Sequence, residues 1–336
     1  MAGGAAGGGR DARKLVPAFL LMIGVGPSNY VLYKILFAAY GEASAFFVMQ
    51  GVNWLYCVYG AVALWQVERQ GLISDAMRRC SKWPFAVMAA LDCLGGLLAA
   101  MGAVDTPGQL QTLLNQSLVP CTMLASFALL GTRYGPRKVG GACTILVGAC
   151  IVIAPEFLGS ATAPSRRGAT IQQQHQQPPS RAGAAVLVYW GSNVPMALSA
   201  VYKEWRFSSS PSSDDVHVMY LTQWVSCFQF LFGFLFAPLQ CVPGVATPGG
   251  LDARDVVGMF LRDSRNVLVG RNAYKATLLL SYVLNNFVLN VTGLYITKEG
   301  GAALTAILYS VPLGAGKRCD VRRPTSKARL SVARVG

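Results

Sequence analysis

Apolar residues in this chain gather into long uncharged runs separated by short polar gaps. Leu15 to Tyr33 is uncharged and continues past Lys34, and Ala43 to Val67 is uncharged throughout. Trp83 to Val104 carries only Asp92, while Pro107 to Thr132 and Val139 to Pro155 carry no charge. A polar stretch, Glu156 to Arg181, then holds Arg166, Arg167 and several glutamines around His175, and reads as a disordered linker. Ala182 to Tyr202, His217 to Ala237 and Ala276 to Thr297 follow, and a shorter ninth run covers Gly301 to Gly316.

Eight of these runs are long enough to cross a hydrocarbon core. That core is about 30 Å thick and takes roughly 20 helical residues. Helices are expected because backbone polar groups in lipid must be satisfied within the segment. The runs do not alternate apolar and polar residues, which excludes the strands of a membrane barrel. An all-α integral membrane protein follows, with the lipid bilayer as its first partner.

Loop charge sets the expected orientation. Arg10, Arg13 and Lys14 precede the first run; Arg69, Arg78, Arg79 and Lys82 lie between runs two and three; Arg133, Arg137 and Lys138 lie between runs four and five. The intervening loops hold no Lys or Arg, so the N-terminus is expected on the cytosolic side. The loop before run eight, with Arg254, Arg262, Arg265, Arg271 and Lys275, departs from strict alternation. The leading MAGGAAGGGRDARK is too short for an obvious transit peptide, and the first run is too long for a signal peptide's apolar region.

Composition agrees. Charged residues make up 13% of the 336 and the hydrophobic set 53%, whereas soluble domains carry about 25% charged residues. The net charge of +14 sits mainly beside the runs, as membrane-flanking charge, and no nucleic-acid motif accompanies it. Most of the nine cysteines lie inside runs, at Cys57, Cys93, Cys121, Cys143, Cys150 and Cys227, without metal-ligand spacing. No metal or cofactor is expected. No P-loop or nucleophile–base pair occurs, and neither His175 nor His217 has a catalytic partner in view, so an enzyme is not expected.

Two stretches resemble each other. Asp92 is mid-run, a turn follows at Asp105–Gly108, and the next run reaches Val119-Pro120; Asn285 and Asn286 are mid-run, a turn follows at Thr297–Gly301, and the next run reaches Val311-Pro312. The spacings are 28 positions from Asp92 to Pro120 and 27 from Asn285 to Pro312. Runs three and four therefore match runs eight and nine, which implies a five-plus-five arrangement. Five is odd, so the second half is inverted relative to the first, a transporter architecture with its site near the midplane. The expected layout is a tail at 1–14, a first helical repeat at 15–157, a linker at 158–181, an incomplete second repeat at 182–316 and a basic tail at 317–336. A tenth helix should match run five, but the chain turns into KRCDVRRPTSKARLSVARVG. About nine of ten helices are expected, with a truncated or misread C-terminus.

The stretch LDCLGGLLAAMGAVDTPGQLQTLLNQSLVPCTMLASFALLGTRYGPRKVGGACTILVGACIVIAPE carries a mid-helix Asp, a Gly-rich helix, a short turn, an N-Q-S-L-x-P helix and an R-Y loop. In these features it resembles the chloroquine-resistance-transporter-like family of the drug/metabolite transporter superfamily. Weaker similarity covers SNVPMALSAVYKEWRF, TQWVSCFQFLFGFLFAP, GRNA and the final repeat, about Leu15 to Pro312 in all. The resemblance implies a ten-helix inverted-repeat carrier. Plant members resemble plastid-envelope carriers of glutathione and γ-glutamylcysteine; apicomplexan members export peptides, amino acids and cationic drugs from a digestive vacuole. The Ala- and Gly-rich wording favours the plastid branch. The cysteine-rich loop of the parasite members has only Cys241 as its counterpart, so their disulfides are not expected.

Several residues are candidates for transport. A carboxylate at Asp92 is costly in mid-membrane, so it should face a cavity or partner, staying protonated, coupling protons or holding a substrate amine. The plainer reading is a neutral lock between helices. The resemblance puts Lys34, in the Y-K-I-L-F context, at a cavity position that influences selectivity, where a cation favours anions; snorkelling is the alternative. Asn115, Gln116, Asn286 and Asn290 could bond a peptide-like substrate or simply tie helices together. Asn286 and Asn290 are four apart and share a face. Asn115-Gln-Ser117 and Asn290-Val-Thr292 match the glycosylation sequon but lie within runs. Gly24, Gly26, Pro27 and Pro120 are hinge candidates. Gly140, Gly141, Ala142, Gly148 and Ala149 suit close helix packing.

The expected function is a carrier of small thiol peptides across the plastid envelope by alternating access. The alternatives are a proton-coupled exporter of amino acids, peptides or cationic compounds from a vacuole, and a non-transporting membrane protein lacking helix ten. Highly phosphorylated substrates are disfavoured, because Lys34 is the one intramembrane cation the runs offer.

Overall fold

The computed structural model describes residues 12–40, 45–103, 106, 108–158, 179–208, 216–238, 253–270 and 272–310. Among these residues the regular structure is helical throughout: α1 (Ala12–Tyr40), α2 (Ala45–Arg69), α3 (Asp75–Arg79), α4 (Trp83–Ala103), α5 (Gly108–Asn115), α6 (Leu118–Leu130), α7 (Pro136–Leu158), α8 (Pro179–Gly191), α9 (Asn193–Ser208), α10 (Val218–Leu235), α11 (Ala253–Leu268), α12 (Ala273–Gly300) and α13 (Ala302–Ser310). Most of the predicted linker and everything after Ser310, the end of run nine and the basic tail included, lie outside the described residues.

Six spans among the described residues are long and apolar enough to cross a membrane: Leu15–Tyr33, Phe46–Arg69, Trp83–Gly102, Leu113–Leu130, Val218–Leu235 and Ala273–Gly300. The chain is a multi-pass membrane protein. Apolar side chains such as Leu20, Leu124 and Ile151 lie on the outside, where lipid and not water would meet them. Two helices escaped the hydropathy pattern. α3 is a single turn capped by Ser74, whose hydroxyl accepts from the Met77 N–H. α11 is amphipathic: it buries Val256, and its Phe260 meets Phe46 and Phe47 of α2 and Phe234 of α10.

Runs four and six are each interrupted, and a proline explains both breaks. Pro120 has no N–H for the Gln116 carbonyl, and α5 ends at Asn115. Pro195 likewise has none for the Gly191 carbonyl, where α8 ends. Side chains at the breaks bond nearby carbonyls, both locally and across the two helices. Ser192 Oγ donates to the Tyr189 carbonyl at 2.6 Å, and Asn193 Nδ2 donates to the carbonyls of Trp190 and Leu114, each at 3.1 Å. The two broken helices are thus stitched together at their breaks. By contrast α1 runs unbroken through Pro17 and Pro27, so Gly24, Gly26 and Pro27 sit inside a continuous helix.

The packing has a regular order. α1 lies along α12, and the α8–α9 pair lies along α4; α2 touches α12, and α4 touches α10; α6 packs on α9, and α13 on α1. α2 pairs directly with α10, and α6 with α13. The α2–α10 crossing is tight at two points. Gln50 covers Gly233 and Gln223 covers Gly60, so closely that a Cβ on either glycine would collide with the amide. Each Gln precedes the Gly of its own helix by ten positions, and the two helices run antiparallel. On α4, Gly95 and Gly102 admit Met196 of α9 and the Tyr189 backbone of α8 in the same way.

Candidate functional site

The helices enclose a cavity of about 480 Å³ in the middle of the bundle. α4 contributes Asp92, α5 Asn115, α8 Tyr189, α9 Lys203, α10 Gln229 and α12 Asn290. Small and apolar side chains cover most of the remaining wall, with hydroxyls at Thr122, Thr222, Thr297 and Thr305. Such a mixture of apolar wall and few convergent polar groups is the usual make-up of a small-molecule site.

Asp92 is the centre of the polar cluster. Its Oδ2 accepts from Lys203 Nζ at 2.7 Å and from Gln229 Nε2 at 2.9 Å. The Lys203 and Asp92 side chains are only 15% and 21% exposed, so the attraction is little screened by water. The pair joins α4 to α9, and Gln229 adds α10.

The next residue along α9 acts elsewhere. Glu204 Oε2 accepts from the Ala302 N–H at 2.9 Å and so holds the first turn of α13. Gly301, at the corner between α12 and α13, has φ +90, and a Cβ there would come within 2.9 Å of Glu204 Oε1. Glycine is required at this corner both by its backbone angle and by the approaching carboxylate. Across the same corner Thr297 and Thr305 share a hydroxyl–hydroxyl bond of 2.9 Å.

A second cluster, on α12, α1 and α2, is wholly neutral. Asn285 Nδ2 and Asn286 Nδ2 both approach Asn29 Oδ1, at 3.4 and 3.2 Å. The Tyr56 hydroxyl donates to Asn286 Oδ1 and accepts from Asn290 Nδ2, the latter at 2.8 Å. The helix packing aligns α12, α1 and α2 here with α4, α9 and α10 around Asp92.

Of the residues singled out by sequence, Asp92, Asn115 and Asn290 meet at the cavity. Asn115 Oδ1 accepts from the Tyr189 hydroxyl at 3.1 Å. Asn286 stands behind Asn290, in the amide cluster rather than on the cavity wall. Gln116 lies in the break between α5 and α6, where its carbonyl accepts from the Val119 N–H at 3.2 Å. Lys34 belongs to α1, but its side chain lies outside the described residues. Pro120 sits in the first turn of α6, just beyond the break. His217 caps α10, its Nδ1 accepting from the Met219 N–H at 3.2 Å.

Lys203 was missed because the uncharged run ends one residue earlier, at Tyr202. A signal existed: Tyr202-Lys203 repeats Tyr33-Lys34 at a corresponding place in the second half. Gln229 and Tyr56 gave no such signal, since a single Gln or Tyr in an apolar helix is ordinary. Among the described residues no group of three or more His, Cys, Asp or Glu side chains could hold a metal.

Comparison with known proteins fits these features. The model of the CRT-like family, chloroquine-resistance transporter-like, matches residues 15–317. Crt homolog 3 of Dictyostelium discoideum is 32% identical over 259 residues, which cover 75% of this chain and 48% of that protein. The chloroquine resistance transporter of Toxoplasma gondii is 30% identical over 280 residues, covering 76% of this chain and 28% of that protein. Protein CLT2, chloroplastic, of Arabidopsis thaliana is 24% identical over 308 residues, covering 89% and 67% respectively. The aligned part thus spans about half the length of the Dictyostelium homologs 3 and 1. The chain, a multi-pass helical bundle matched over most of its length, belongs to the CRT-like family.

Proposed function

We propose that this chain is a membrane carrier of small organic solutes, with thiol peptides of the glutathione and γ-glutamylcysteine type as its substrates. The single observation that carries the reading is the Asp92–Lys203 pair on the wall of the 480 Å³ cavity. A γ-glutamyl head group carries an ammonium and a carboxylate on one carbon. It can divide this ion pair, giving its ammonium to Asp92 and its carboxylate to Lys203. Asn115, Asn290 and the threonine hydroxyls supply partners for peptide amides, and the apolar wall accepts the thiol side chain. The cavity falls within the roughly 300–1,000 Å³ typical of small-molecule sites.

The mechanism we infer is alternating access. The matched packing of α1, α2, α12 and α13 with α9, α10, α4 and α6 supports a five-plus-five inverted repeat, in which two halves rock about a fixed site. In the same reading the interrupted α5–α6 and α8–α9 pairs are the places where backbone lines the cavity. Asp92 is proposed to couple the cycle to protons: as the carboxylate it holds the substrate ammonium, and once protonated it releases it, so that proton and substrate exchange at one group. The membrane we propose is the plastid envelope, in keeping with the chloroplastic Arabidopsis relatives.

A second reading, export of amino acids, peptides or cationic compounds from a vacuole, draws on the higher identity to the Crt homologs than to the chloroplastic proteins. Uptake of labelled glutathione into proteoliposomes, competed by unlabelled amino acids and by an organic cation, separates the two. Uptake competed only by γ-glutamyl peptides supports the first reading. Absence of glutathione uptake, with transport of the organic cation, rejects it.

A further inference from the structure

A second, smaller cavity of about 140 Å³ lies on the other side of Asp92. It shares Asp92 and Gln229 with the central cavity and adds Asn53 of α2, Cys93 and Gly96 of α4, and Phe236 at the end of α10. Its volume is well above the roughly 10–15 Å³ that one water needs, and its polar groups give waters the two to four partners they require. Asp92 and Gln229 therefore form a shared wall between two compartments.

The central cavity reaches toward both ends of the bundle, from Ala99 and Tyr189 to the α12–α13 corner, and the small cavity toward one. The α12–α13 corner, part of the central cavity's wall through Thr297 and Ala302, lies where α1 begins, since Gly300 approaches Leu15. Asn53, in the first half of α2, and Phe236, beyond the last turn of α10, lie toward the end where α1 finishes and α2 starts. α1 itself, with 29 residues, is long enough to span the bilayer.

We propose that the small cavity is a proton port, in which water carries protons to Asp92 from the membrane face at which α1 ends. The inference rests on the coupling role given to Asp92 above. A hydronium ion in the port hands one proton to the Asp92 carboxylate and leaves as water. Lys203 keeps its own proton and loses its counter-charge. Discharge into the central cavity restores the ion pair. Among the residues lining the two cavities, Asp92 and Lys203 are the charged groups, facing each other from α4 and α9. The remaining titratable side chains are the phenols of Tyr56 on α2, Tyr189 on α8 and Tyr309 on α13, and the thiol of Cys93. From α10, Gln229 faces Asp92 without charge.

Gly96 offers a clean test. A Cβ built there meets nothing within 4 Å, so the Gly96→Leu side chain starts in open space beside the port. In full-length protein with Cys93 as its one remaining cysteine, a small cationic methanethiosulfonate should label Cys93, and Gly96→Leu should slow labelling at least tenfold. In proteoliposomes Gly96→Leu should lower uptake of glutathione driven by a pH gradient at least tenfold, while glutathione counterflow at equal pH stays within twofold. An unreactive Cys93 overturns the proposal. So does labelling that Gly96→Leu does not slow, proton-driven uptake that survives the substitution, or a joint loss of uptake and counterflow. If the unsubstituted protein carries no glutathione, the substrate reading fails, and the Cys93 labelling together with proton entry followed by a trapped pH dye still decides the port.

Discussion

Glu204 Oε2 receives the N–H of Ala302 at 2.9 Å, one residue along α9 from the lysine that holds Asp92. A single turn of helix thus grips the cavity's carboxylate with one side chain and the base of α13 with the next. Replacing Glu204 by Ala strips the cap from α13 and should cost about 1–2 kcal/mol, the worth of a helix cap. Glu204→Gln keeps an acceptor oxygen and should recover much of the loss. Thermal unfolding in detergent checks the order wild type, Gln, Ala; equal stability of all three would remove the capping role.

The Asp92–Lys203 pair should respond differently to single and double substitution. Asp92→Asn or Lys203→Met alone leaves one little-exposed charge unpaired, at a cost of about 3–5 kcal/mol. The double variant removes both charges and should regain most of that stability while remaining inactive. In Asp92→Asn, uptake should no longer depend on a proton gradient. An unchanged pH dependence in that variant would reject the coupling role.

Asn290 and Asn286 should separate as well. Asn290 is on the cavity wall, whereas Asn286 is behind it, tied to Asn29 and Tyr56. Asn290→Ala should raise the KM for a peptide substrate severalfold. Asn286→Ala should chiefly lower stability, by the roughly 1–3 kcal/mol of a buried partner left unsatisfied. Side-by-side KM and melting measurements check this, and a larger KM effect at Asn286 than at Asn290 would contradict it.

The surroundings of two glycines, one at the α2–α10 crossing and one on α7, predict one sensitive and one tolerant position. Gly233→Ala drives a Cβ into the buried Gln50 amide and should destabilise by about 1–3 kcal/mol. Gly140→Ala on α7 meets nothing within 4 Å and should be neutral or slightly stabilising. Adding Gln50→Ala to Gly233→Ala should relieve part of the strain, which a double-mutant cycle measures.

Much of the architecture was legible because a membrane makes hydropathy decisive. Run seven, His217 to Ala237, became α10, and run eight became α12 with about a turn added at each end. The interruptions were harder to see. Pro120 was noticed, but which carbonyl it orphans, and which side chain on another helix satisfies a nearby one, are tertiary facts. Lys203 escaped for a related reason. A charge at the edge of an apolar run looks like an interfacial residue until packing turns it inward. Asp92 was conspicuous alone, yet its meaning depends on Lys203 and Gln229, which are more than a hundred positions away in the chain.

The two glutamine–glycine contacts between α2 and α10 are one contact made twice. Each helix offers a Gln and, ten positions later, a Gly, and receives the same from its antiparallel neighbour. A surface of that kind is self-complementary, as in a two-fold homodimer. In the five-plus-five reading proposed above, a lone half would bring to this crossing both parts of the contact that an upside-down copy of itself would need.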